Sequence, residues 1–216
     1  MTALAIQSDS LGYDGQRVLE PVSLDIRAGE HLILLGKSGC GKSTLLNHIY
    51  TENRNECALI PQGLGLVESL SVFHNVYMGC LPRHTVFHNI RNLVWPAPAR
   101  VAEILPLLER LGLSEKCFSA VADLSGGQQQ RVAVARALYQ QASVLLADEP
   151  VSALDGPEAD RVMSLLGQNF ITAVITLHDV DRALRYGQRI IAIQDGKLVL
   201  DERADRLTVS TLNEFY

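Results

Sequence analysis

Cysteine is scarce in this sequence, and no two cysteines form a closely spaced pair. The chain has four cysteines among 216 residues, and their spacing is wide and irregular. Because no C-x-x-C pair occurs, the sequence does not indicate a zinc site or a redox dithiol. We therefore expect Cys40, Cys57, Cys80 and Cys117 to be ordinary reduced thiols.

Long apolar runs and an excess of positive charge are also missing. No run reaches the roughly eighteen apolar residues of a membrane span, and the N-terminus MTALAIQSDS lacks a basic region followed by an apolar one. The formal net charge is -5, so the protein has no overall positive electrostatic potential that would attract a polyanion. These absences argue against a membrane span and against nucleic acid as the main partner, and they favour the cytoplasm.

The composition that is present predicts one domain with a substantial core. Hydrophobic residues make up 47% of the chain and charged residues 20%. Strands are predicted at 4–8, 22–26, 31–35, 57–60, 143–147, 171–176, 189–193 and 197–201, and helices at 42–50, 99–111, 127–140, 157–168 and 180–186. The dipeptide Asp195-Gly196 predicts a hairpin between the last two strands. This alternation is typical of an α/β fold with a mainly parallel sheet.

The clearest chemical motif is GKSGCGKST, which follows the apolar run HLILL and precedes a helical stretch. Its residues are Gly36, Lys37, Ser38, Gly39, Cys40, Gly41, Lys42, Ser43 and Thr44. This strand-loop-helix context is typical of a P-loop, whose glycines let the backbone wrap phosphates at a helix N-terminus. We expect Lys42 to bridge the β- and γ-phosphates of a nucleoside triphosphate and the Ser43 hydroxyl to ligate Mg²⁺. A glycine-rich turn with a solvated lysine is the alternative.

A second candidate is SVLLADEP, where an apolar strand runs into two acids. A buried parallel strand would place Asp148 at the carboxyl edge of the sheet, where α/β folds bind ligands. We expect Asp148 to hold Mg²⁺ and Glu149 to orient, or accept a proton from, the water that attacks the γ-phosphate. A solvated strand end or a helix cap is the alternative interpretation.

The stretch DLSGGQQQR combines a serine and two glycines at the start of a predicted helix, about eighty residues after the P-loop. It has the chemistry of an anion-binding turn but contains no lysine. Leu124, Ser125, Gly126, Gly127 and Gln128 match the LSGGQ signature of ABC transporters, and the resemblance to the nucleotide-binding subunit of that family extends along nearly the whole chain.

The resemblance implies the fold and assembly of an ABC ATPase. The expected fold is a P-loop NTPase with a mainly parallel sheet, a reduced antiparallel β-subdomain and a helical subdomain at about 66–140. Two subunits would pair head to tail as a homodimer, so that Ser125 and the glycine N–H groups complete the partner's ATP site. The implied cofactors are ATP and Mg²⁺.

Four further positions resemble functional residues of the same family. Tyr13 resembles the aromatic residue that stacks on adenine, and Gln62 resembles the glutamine that links Mg²⁺ to the transmembrane partner. Asp155 ends a loop, Ser152 to Asp155, that resembles the one joining the two subunits. His178 resembles the switch histidine that hydrogen-bonds the γ-phosphate.

The sequence departs from the family pattern between the P-loop lysine and the glutamine. Only twenty positions separate Lys42 from Gln62, whereas most relatives carry a longer antiparallel segment there. We interpret YTENRNECA as a shortened version of the β-subdomain. The geometry near Tyr13 and Gln62 therefore cannot be transferred in detail from the family.

Three classes of function compete for these motifs. The resemblance favours an ATPase subunit that energises a membrane transporter from the cytoplasmic face. The other two classes are a soluble ABC ATPase of DNA repair or translation and an ordinary P-loop kinase or GTPase. Among transporters, the ATPase of an exporter or lipoprotein-release complex is an alternative to that of an importer. The run LVESLSVFHNVYMGCLPRH resembles the phosphonate-importer branch, which implies a phosphonate or a related small anion as cargo, with permease subunits and a substrate-binding protein as partners.

The segment from Ser69 to Ala102 contains no Asp or Glu but carries three arginines, three histidines and many apolar residues. One interpretation is a helical subdomain with its own small core and solvated arginines. The other is that this segment receives the coupling helix of the transmembrane subunit, as the resemblance implies. On that interpretation Phe73, Tyr77 and Arg83 contribute to the docking groove.

Overall fold

The computed structural model describes residues 2–13 and 16–215 of the chain. Over these residues the strands are β1 (Thr2–Ser8), β2 (Leu11–Tyr13), β3 (Gln16–Leu19), β4 (Val22–Arg27), β5 (His31–Leu35), β6 (Cys57–Ile60), β7 (Val144–Asp148), β8 (Thr172–Thr176), β9 (Arg189–Gln194) and β10 (Lys197–Arg203). The helices are α1 (Lys42–Glu52), α2 (Val72–Tyr77), α3 (Val86–Val94), α4 (Pro98–Arg110), α5 (Gly126–Gln140), α6 (Gly156–Asn169), α7 (Val180–Tyr186) and α8 (Val209–Asn213).

The central sheet has six strands in the order β10-β9-β5-β8-β7-β6. Strands β9, β5, β8, β7 and β6 are parallel, and β10 joins the edge antiparallel to β9. Asp195 and Gly196 connect β9 to β10 with φ values of 48° and 76°, as a two-residue hairpin turn of primed type requires. The predicted mainly parallel sheet and its closing hairpin are confirmed.

Both faces of the sheet are covered by other elements. Successive side chains of a strand point to opposite faces, so each central strand contributes to two cores. In β5, Ile33 and Leu35 belong to the core that the sheet shares with α5 and α6, whereas Leu32 and Leu34 pack with α1 and the N-terminal strands. Strand β7 alternates in the same way. The near-continuous apolar runs of these strands therefore reflect burial on two faces.

Besides the β9–β10 hairpin, the antiparallel pairs of the fold lie near the N-terminus. Strand β1 pairs with β4 from Ser8 opposite Val22 to Thr2 opposite Arg27, and β2 pairs with β3. The sequence did not predict β2 and β3, since each has only three or four residues. The segment YTENRNECA holds no antiparallel pair: it ends α1, turns and enters β6. Its interpretation as a shortened β-subdomain was therefore wrong in position, and the N-terminal antiparallel part of the fold is built from β1 to β4.

Helices α2 to α5 lie between β6 and β7 in the chain, and α2 and α3 were not predicted as helices. Each begins at a hydroxyl cap: Ser71 accepts a hydrogen bond from the His74 amide, and Thr85 accepts one from the His88 amide. Asn75 in α2 is fully buried and hydrogen-bonds the backbone of Val67, Leu70 and Ser71. This amide therefore fixes the loop that leads into the helical region.

The predicted docking role does not fit Phe73, which α2 turns fully into the core; Tyr77 also turns inward but lines an apolar cavity at the surface, so its role stays a prediction. Phe73 is 0% exposed and Tyr77 is 3% exposed, and their rings stack with centroids 5.9 Å apart. Arg83 is exposed, and its guanidinium donates to Tyr139 O and Gln141 Oε1 at 2.7 and 2.6 Å. Apolar periodicity alone could not show which rings face the core.

Replacing the buried ring should destabilise the protein, whereas replacing an exposed ring of the same type should not. We expect Phe73→Ala to lower the free energy of unfolding by about 3–5 kcal/mol, because the change leaves a cavity in a fully packed site. The matched control is Phe87→Ala, at a side chain that is 81% exposed. Urea unfolding followed by circular dichroism measures both, and equal midpoints for the two variants would contradict the assignment of Phe73 to the core.

All four cysteines are free and buried, which agrees with their interpretation as reduced thiols. Burial raises the pKa of the Cys57 thiol to about 11, and it also raises the pKa of Cys80 and Cys117. Within the described residues, no helix combines the length and apolarity needed to cross a bilayer.

Candidate active site

The predicted site residues follow the carboxyl ends of four neighbouring parallel strands. The P-loop follows β5, His178 comes after β8, Asp148 ends β7, and Gln62 comes after β6. In the sheet these strands are adjacent in the order β5-β8-β7-β6. Because the carboxyl ends of parallel strands share one edge, residues from four separate parts of the sequence lie in one row.

The P-loop turns sharply out of β5 and enters α1 at a glycine in the left-handed region. Gly36 has φ +145°, and a Cβ at this position would lie 2.2 Å from Ile193 O. Gly41 has φ +112°, and a Cβ there would lie 2.6 Å from the Leu19 side chain. These two positions therefore need glycine for both space and backbone conformation. The loop presents backbone amides at the N-terminus of α1, an arrangement that binds anions.

Lys42 lies across this loop rather than in solvent. It is 5% exposed, and Nζ donates to Gly36 O at 2.6 Å and to Lys37 O at 3.0 Å. The alternative of a solvated lysine is thus inconsistent with the structure. Neutral carbonyl partners leave the full positive charge of the ammonium group available to a phosphate.

Asp148 and Glu149 have different surroundings although they are adjacent. Asp148 is 5% exposed, and its Oδ1 accepts a hydrogen bond from Thr176 Oγ1 at 2.7 Å. Glu149 adopts φ +53°, and its amide donates to the same hydroxyl at 2.9 Å. A left-handed conformation is uncommon for a residue other than glycine, and such strain often occurs at functional sites.

His178 contacts the side chain of Glu149 directly. His178 Nε2 lies 2.5 Å from Glu149 Oε1. The family resemblance implied a contact between this histidine and the γ-phosphate; the structure brings it to the carboxylate that is the candidate base. Because Glu149 lines the P-loop cavity, the pair lies beside that cavity.

One cavity joins the P-loop to Gln62 and Glu149. It has a volume of about 300 Å³, and it is lined by Val18, Ser38, Gly39, Gly41, Lys42, Ser43, Thr44, Gln62 and Glu149. Gln62 and Glu149 come from β6 and β7, so tertiary contacts bring them to the phosphate loop. Lys37 and Cys40 line the adjacent cavity beside the β9–β10 hairpin.

The donor set at this edge fits Mg²⁺. Ser43 offers a hydroxyl, Gln62 an amide oxygen and Asp148 a carboxylate, all hard oxygen ligands. Within the described residues no three His, Cys, Asp or Glu side chains form a metal-binding cluster. Mg²⁺ is usually bound by one or two protein ligands together with phosphates and water.

Tyr13 is the last residue of β2, and its side chain lies outside the described part of the structure. Its predicted stacking on adenine therefore stays a prediction. Val18 in the paired strand β3 lines the P-loop cavity. The β2–β3 pair thus reaches the nucleotide site.

The signature residues form an exposed helix N-terminus. Ser125 and Gln128 make a reciprocal capping box: the Ser125 amide donates to Gln128 Oε1 at 2.9 Å, and the Gln128 amide donates to Ser125 Oγ at 3.3 Å. Gly126 is open to solvent, whereas a Cβ on Gly127 would lie 3.0 Å from Ala153 O. None of the residues 125–128 lines the P-loop cavity of their own chain.

Sequence reasoning missed two residues of α5 that hold the site loops. Gln130 is 3% exposed; its Nε2 donates to Glu149 O at 2.8 Å, and its Oε1 accepts from the Ala153 amide at 2.8 Å. Arg136 donates to Leu64 O and Gly65 O, just after Gln62, and burial lowers its pKa. Both belong to the helix that begins at the signature, but no sequence pattern indicated their partners.

Asp155 caps α6, where its Oδ1 accepts a hydrogen bond from the Glu158 amide at 3.0 Å. Glu158 in turn pairs with Arg131 of α5 at 2.6 Å. The loop Ser152 to Asp155 is therefore fixed at both ends, by Gln130 and by the start of α6. This fixed loop lies beside the signature, because Gly127 packs against Ala153.

Comparison with known proteins identifies the family that shares these features. The profile of the ABC transporter family matches residues 19–152, which include the P-loop, the signature and Glu149. The chain belongs to the ABC transporter family. It is accordingly an ATP-binding, ATP-hydrolysing subunit that energises a transporter, with ATP and Mg²⁺ as cofactors.

Curated ABC relatives match nearly the whole chain. It is 37% identical to the phosphonates import ATP-binding protein PhnC 2 of Cupriavidus metallidurans, over 99% of this chain and 86% of the relative. It is 38% identical to the phosphite import ATP-binding protein PxtA of Stutzerimonas stutzeri, over 94% of this chain and 82% of the relative. The alignment with PhnC 2 spans 244 positions, so that relative carries residues that this ABC subunit lacks.

Solved ABC structures share the fold. The dimeric cassette MJ0796, in a post-hydrolysis state with ADP and phosphate, superposes with a TM-score of 0.76 at 26% identity, covering 93% of this chain and 99% of that one. Another dimeric structure of MJ0796 gives a TM-score of 0.79 at 27% identity over the same shares. The predicted fold class is confirmed.

Proposed function

We propose that this chain is the ATPase subunit of an importer for phosphonate or phosphite. The proposal is carried by the near-complete match to relatives of that name, at 35–38% identity over 94–99% of the chain. Phosphonates and phosphite are small phosphorus oxyanions, so the two names define one substrate class. Residues 1–216 would act as a single ABC-type ATPase domain, with the helical subdomain at about 66–140.

The proposed assembly is a homodimer of these subunits beneath two transmembrane permease subunits. A substrate-binding protein on the opposite side of the membrane delivers the anion. The ATPase subunit is peripheral and faces the cytoplasm, and nucleic acid plays no part. The solved MJ0796 cassettes are dimeric, which supports the proposed homodimer.

ATP binding is assigned to the P-loop residues 36–44. Backbone amides at the start of α1 cradle the phosphates, and the Lys42 ammonium group moves its hydrogen bonds from Gly36 O and Lys37 O to phosphate oxygens. Ser43, Gln62 and Asp148 hold Mg²⁺, which when bound neutralises phosphate charge. Tyr13 stacks on the adenine.

Hydrolysis is assigned to Glu149 and His178. The Glu149 carboxylate orients the attacking water and accepts its proton. Before ATP binds, His178 holds one oxygen of this carboxylate. Gln130 and Thr176 fix the backbone of Glu149 on either side, so the carboxylate is presented by a rigid turn. When ATP binds, His178 can exchange Glu149 for the γ-phosphate and so report its presence.

The signature completes the site of the other subunit. Ser125 and Gly126 are exposed and Gly127 is half-buried, and none of the three lines the P-loop cavity of its own chain. In the proposed dimer they contact the γ-phosphate that the partner's P-loop holds. Asp155 and its loop lie beside the signature through Gly127 and Ala153, and would contact the partner there.

Coupling to the permease is assigned to the loop after Gln62. Arg136 and Asn75 anchor this loop on α5 and α2. Beside it lies an apolar cavity of about 230 Å³, whose lining includes Leu70, Met78, Leu81, Ile90 and Leu93. Tyr77 also lines this cavity, whereas Phe73 does not, and the cavity is the candidate docking position.

Growth on different phosphorus sources tests the substrate class. We expect deletion of the gene to abolish growth of the source organism on alkylphosphonate or phosphite as the sole phosphorus source, and to leave growth on phosphate unchanged. The wild-type gene should restore growth, whereas Glu149→Gln should not, because the folded subunit would bind ATP without turnover. Unimpaired growth of the deletion strain on every phosphonate and on phosphite would refute the substrate class without touching the ATPase assignment.

A further inference from the structure

Helix α3 turns its polar side chains toward the protein and its apolar side chains toward solvent. Asn92 is its one fully buried side chain within the described structure, and His88 and Asn89 are half-buried. On the opposite side Val86, Phe87 and Val94 are 74%, 81% and 77% exposed. A helix on the surface of a soluble protein normally has the reverse arrangement.

Hydrogen bonds fix this inverted orientation. Asn92 Nδ2 donates to His88 O, and Asn92 Oδ1 accepts from the Ala97 amide, both at 3.0 Å. Asn89 Oδ1 accepts from Tyr77 Oη at 3.0 Å, and Asn89 Nδ2 donates to Leu81 O at 3.0 Å. The Asn92 bonds stay within α3 and the residues just after it, whereas the Asn89 bonds reach Tyr77 and Leu81 outside the helix. Rotating α3 to bury its apolar face would break the Asn89 bonds, so the apolar face is outward in the native fold.

The exposed apolar side chains protrude and do not line a groove. Val86, Phe87, Val94 and Trp95, which we call the α3 ridge, each expose about three quarters or more of their surface. Ile90 and Leu93, at 56% and 50%, instead line the neighbouring cavity. Protruding side chains of this kind are best buried by a partner that adapts to them and does not need a complementary pocket.

The charge around the ridge is positive. No acidic residue occurs between Ser69 and Ala102. Arg91 is exposed on α3 next to the ridge, and the described residues provide no ion pair for it. Arg83 donates to the neutral acceptors Tyr139 O and Gln141 Oε1, and its charge also helps to lower the pKa of Glu103. The Arg91 charge is therefore available to an anionic surface, and Arg83 is exposed and forms no ion pair within the described residues.

We propose that the α3 ridge inserts into the surface of the membrane, with Arg91 and Arg83 facing anionic lipid head groups. Aromatic and aliphatic side chains beside arginine are typical of helices that lie in the bilayer interface, and fluid acyl chains accommodate protruding side chains. Anionic lipids supply the complementary charge. The contact goes beyond the proposed function, because it joins the subunit to lipid directly and does not require the permease.

Tryptophan fluorescence of the full chain tests this contact, since Trp95 is the only tryptophan. With vesicles of phosphatidylglycerol and phosphatidylethanolamine we expect a blue shift of the emission and co-sedimentation of the protein. Phosphatidylcholine vesicles should give much weaker binding, and salt should weaken binding to the anionic vesicles.

Two variants with matched controls isolate the ridge and its charge. Phe87→Ser combined with Val94→Ser should weaken vesicle partitioning by about tenfold or more, a factor that corresponds to 1.4 kcal/mol. Its control is Ile171→Ser, which changes a side chain that is 73% exposed elsewhere on the surface. Arg91→Glu should remove the preference for anionic lipid, whereas Arg161→Glu on α6 makes the same charge change and should keep it. Unchanged thermal unfolding would show that each variant is folded.

Four results would overturn the proposal. One is a wild-type chain that binds none of these vesicles, and another is a ridge variant that binds as well as the wild type. The third is that the wild type binds no vesicles and co-purifies with the permease in detergent, whereas the ridge variant does not co-purify. This result would assign the ridge to the permease. The last is that the wild type binds no vesicles but self-associates without nucleotide, and that the ridge variant stays monomeric. This result would assign the ridge to contact with a second copy of the chain.

Discussion

Glu149→Gln should bind ATP like the wild type and hydrolyse it at least about 100-fold more slowly, the usual contribution of a general base. The glutamine keeps the shape and the polar contact to His178 but cannot accept a proton. Lys42→Ala should instead lose about 100-fold in ATP affinity, because two charge-assisted hydrogen bonds to phosphate are removed. Titration with a fluorescent ATP analogue measures binding, and phosphate release measures turnover.

Lys37→Ala is the matched control for the lysine. Lys37 belongs to the same loop, but its side chain is exposed and only its carbonyl contacts Lys42. Alanine at this position keeps that carbonyl, so ATP affinity should change little. Equal loss of ATP affinity in Glu149→Gln and Lys42→Ala would show that the two residues do not have separate roles.

With ATP, the Glu149→Gln protein should form a dimer of twice 23.7 kDa, and with ADP it should stay monomeric. Only ATP carries the γ-phosphate that the exposed signature can bridge, and the slow turnover of this variant preserves it. Adding Ser125→Arg should abolish the dimer, because a long side chain would occupy the position of the phosphate. Light scattering at high protein concentration distinguishes the two states.

Ser125→Arg also removes a helix cap, which costs about 1 kcal/mol of stability. Thr208→Arg controls for that loss, since Thr208 is an exposed cap of α8 that accepts a hydrogen bond from the Thr211 amide at 3.2 Å. We expect the Thr208 variant to dimerise normally. A dimer that forms equally well with ADP, or that survives Ser125→Arg, would contradict completion of the site by the partner's signature.

Much of the nucleotide site could be predicted because its chemistry is local in sequence. The P-loop needs glycines at fixed spacing between a strand and a helix, and the structure places Gly36 and Gly41 where a Cβ would collide with neighbours. The capping box of Ser125 and Gln128 likewise lies within a single helical turn. Short-range geometry of this kind is encoded by residues that adjoin one another, so the sequence specifies it without the rest of the fold.

Contacts between distant segments could not be predicted. Gln130 meets Glu149 across nineteen positions of the chain, and Arg136 meets Leu64 across seventy-two. Nothing in the residue types of α5 distinguishes these two side chains from their neighbours. The contact of His178 with Glu149 depends in the same way on β8 lying beside β7 in the sheet.

The sequence by itself determined the family motifs, the main strands and the lack of acidic residues between Ser69 and Ala102. Only the tertiary structure decided which apolar residues of that segment face inward. Phe73 and Phe87 are chemically identical and both lie on short helices, yet one is 0% and the other 81% exposed. The hydrophobic effect favours burial of both rings, but the hydrogen bonds of Asn89 to Tyr77 and Leu81 orient α3 with Phe87 outward. Periodicity gives a helix two faces, and long-range packing and hydrogen bonding select the face that is buried.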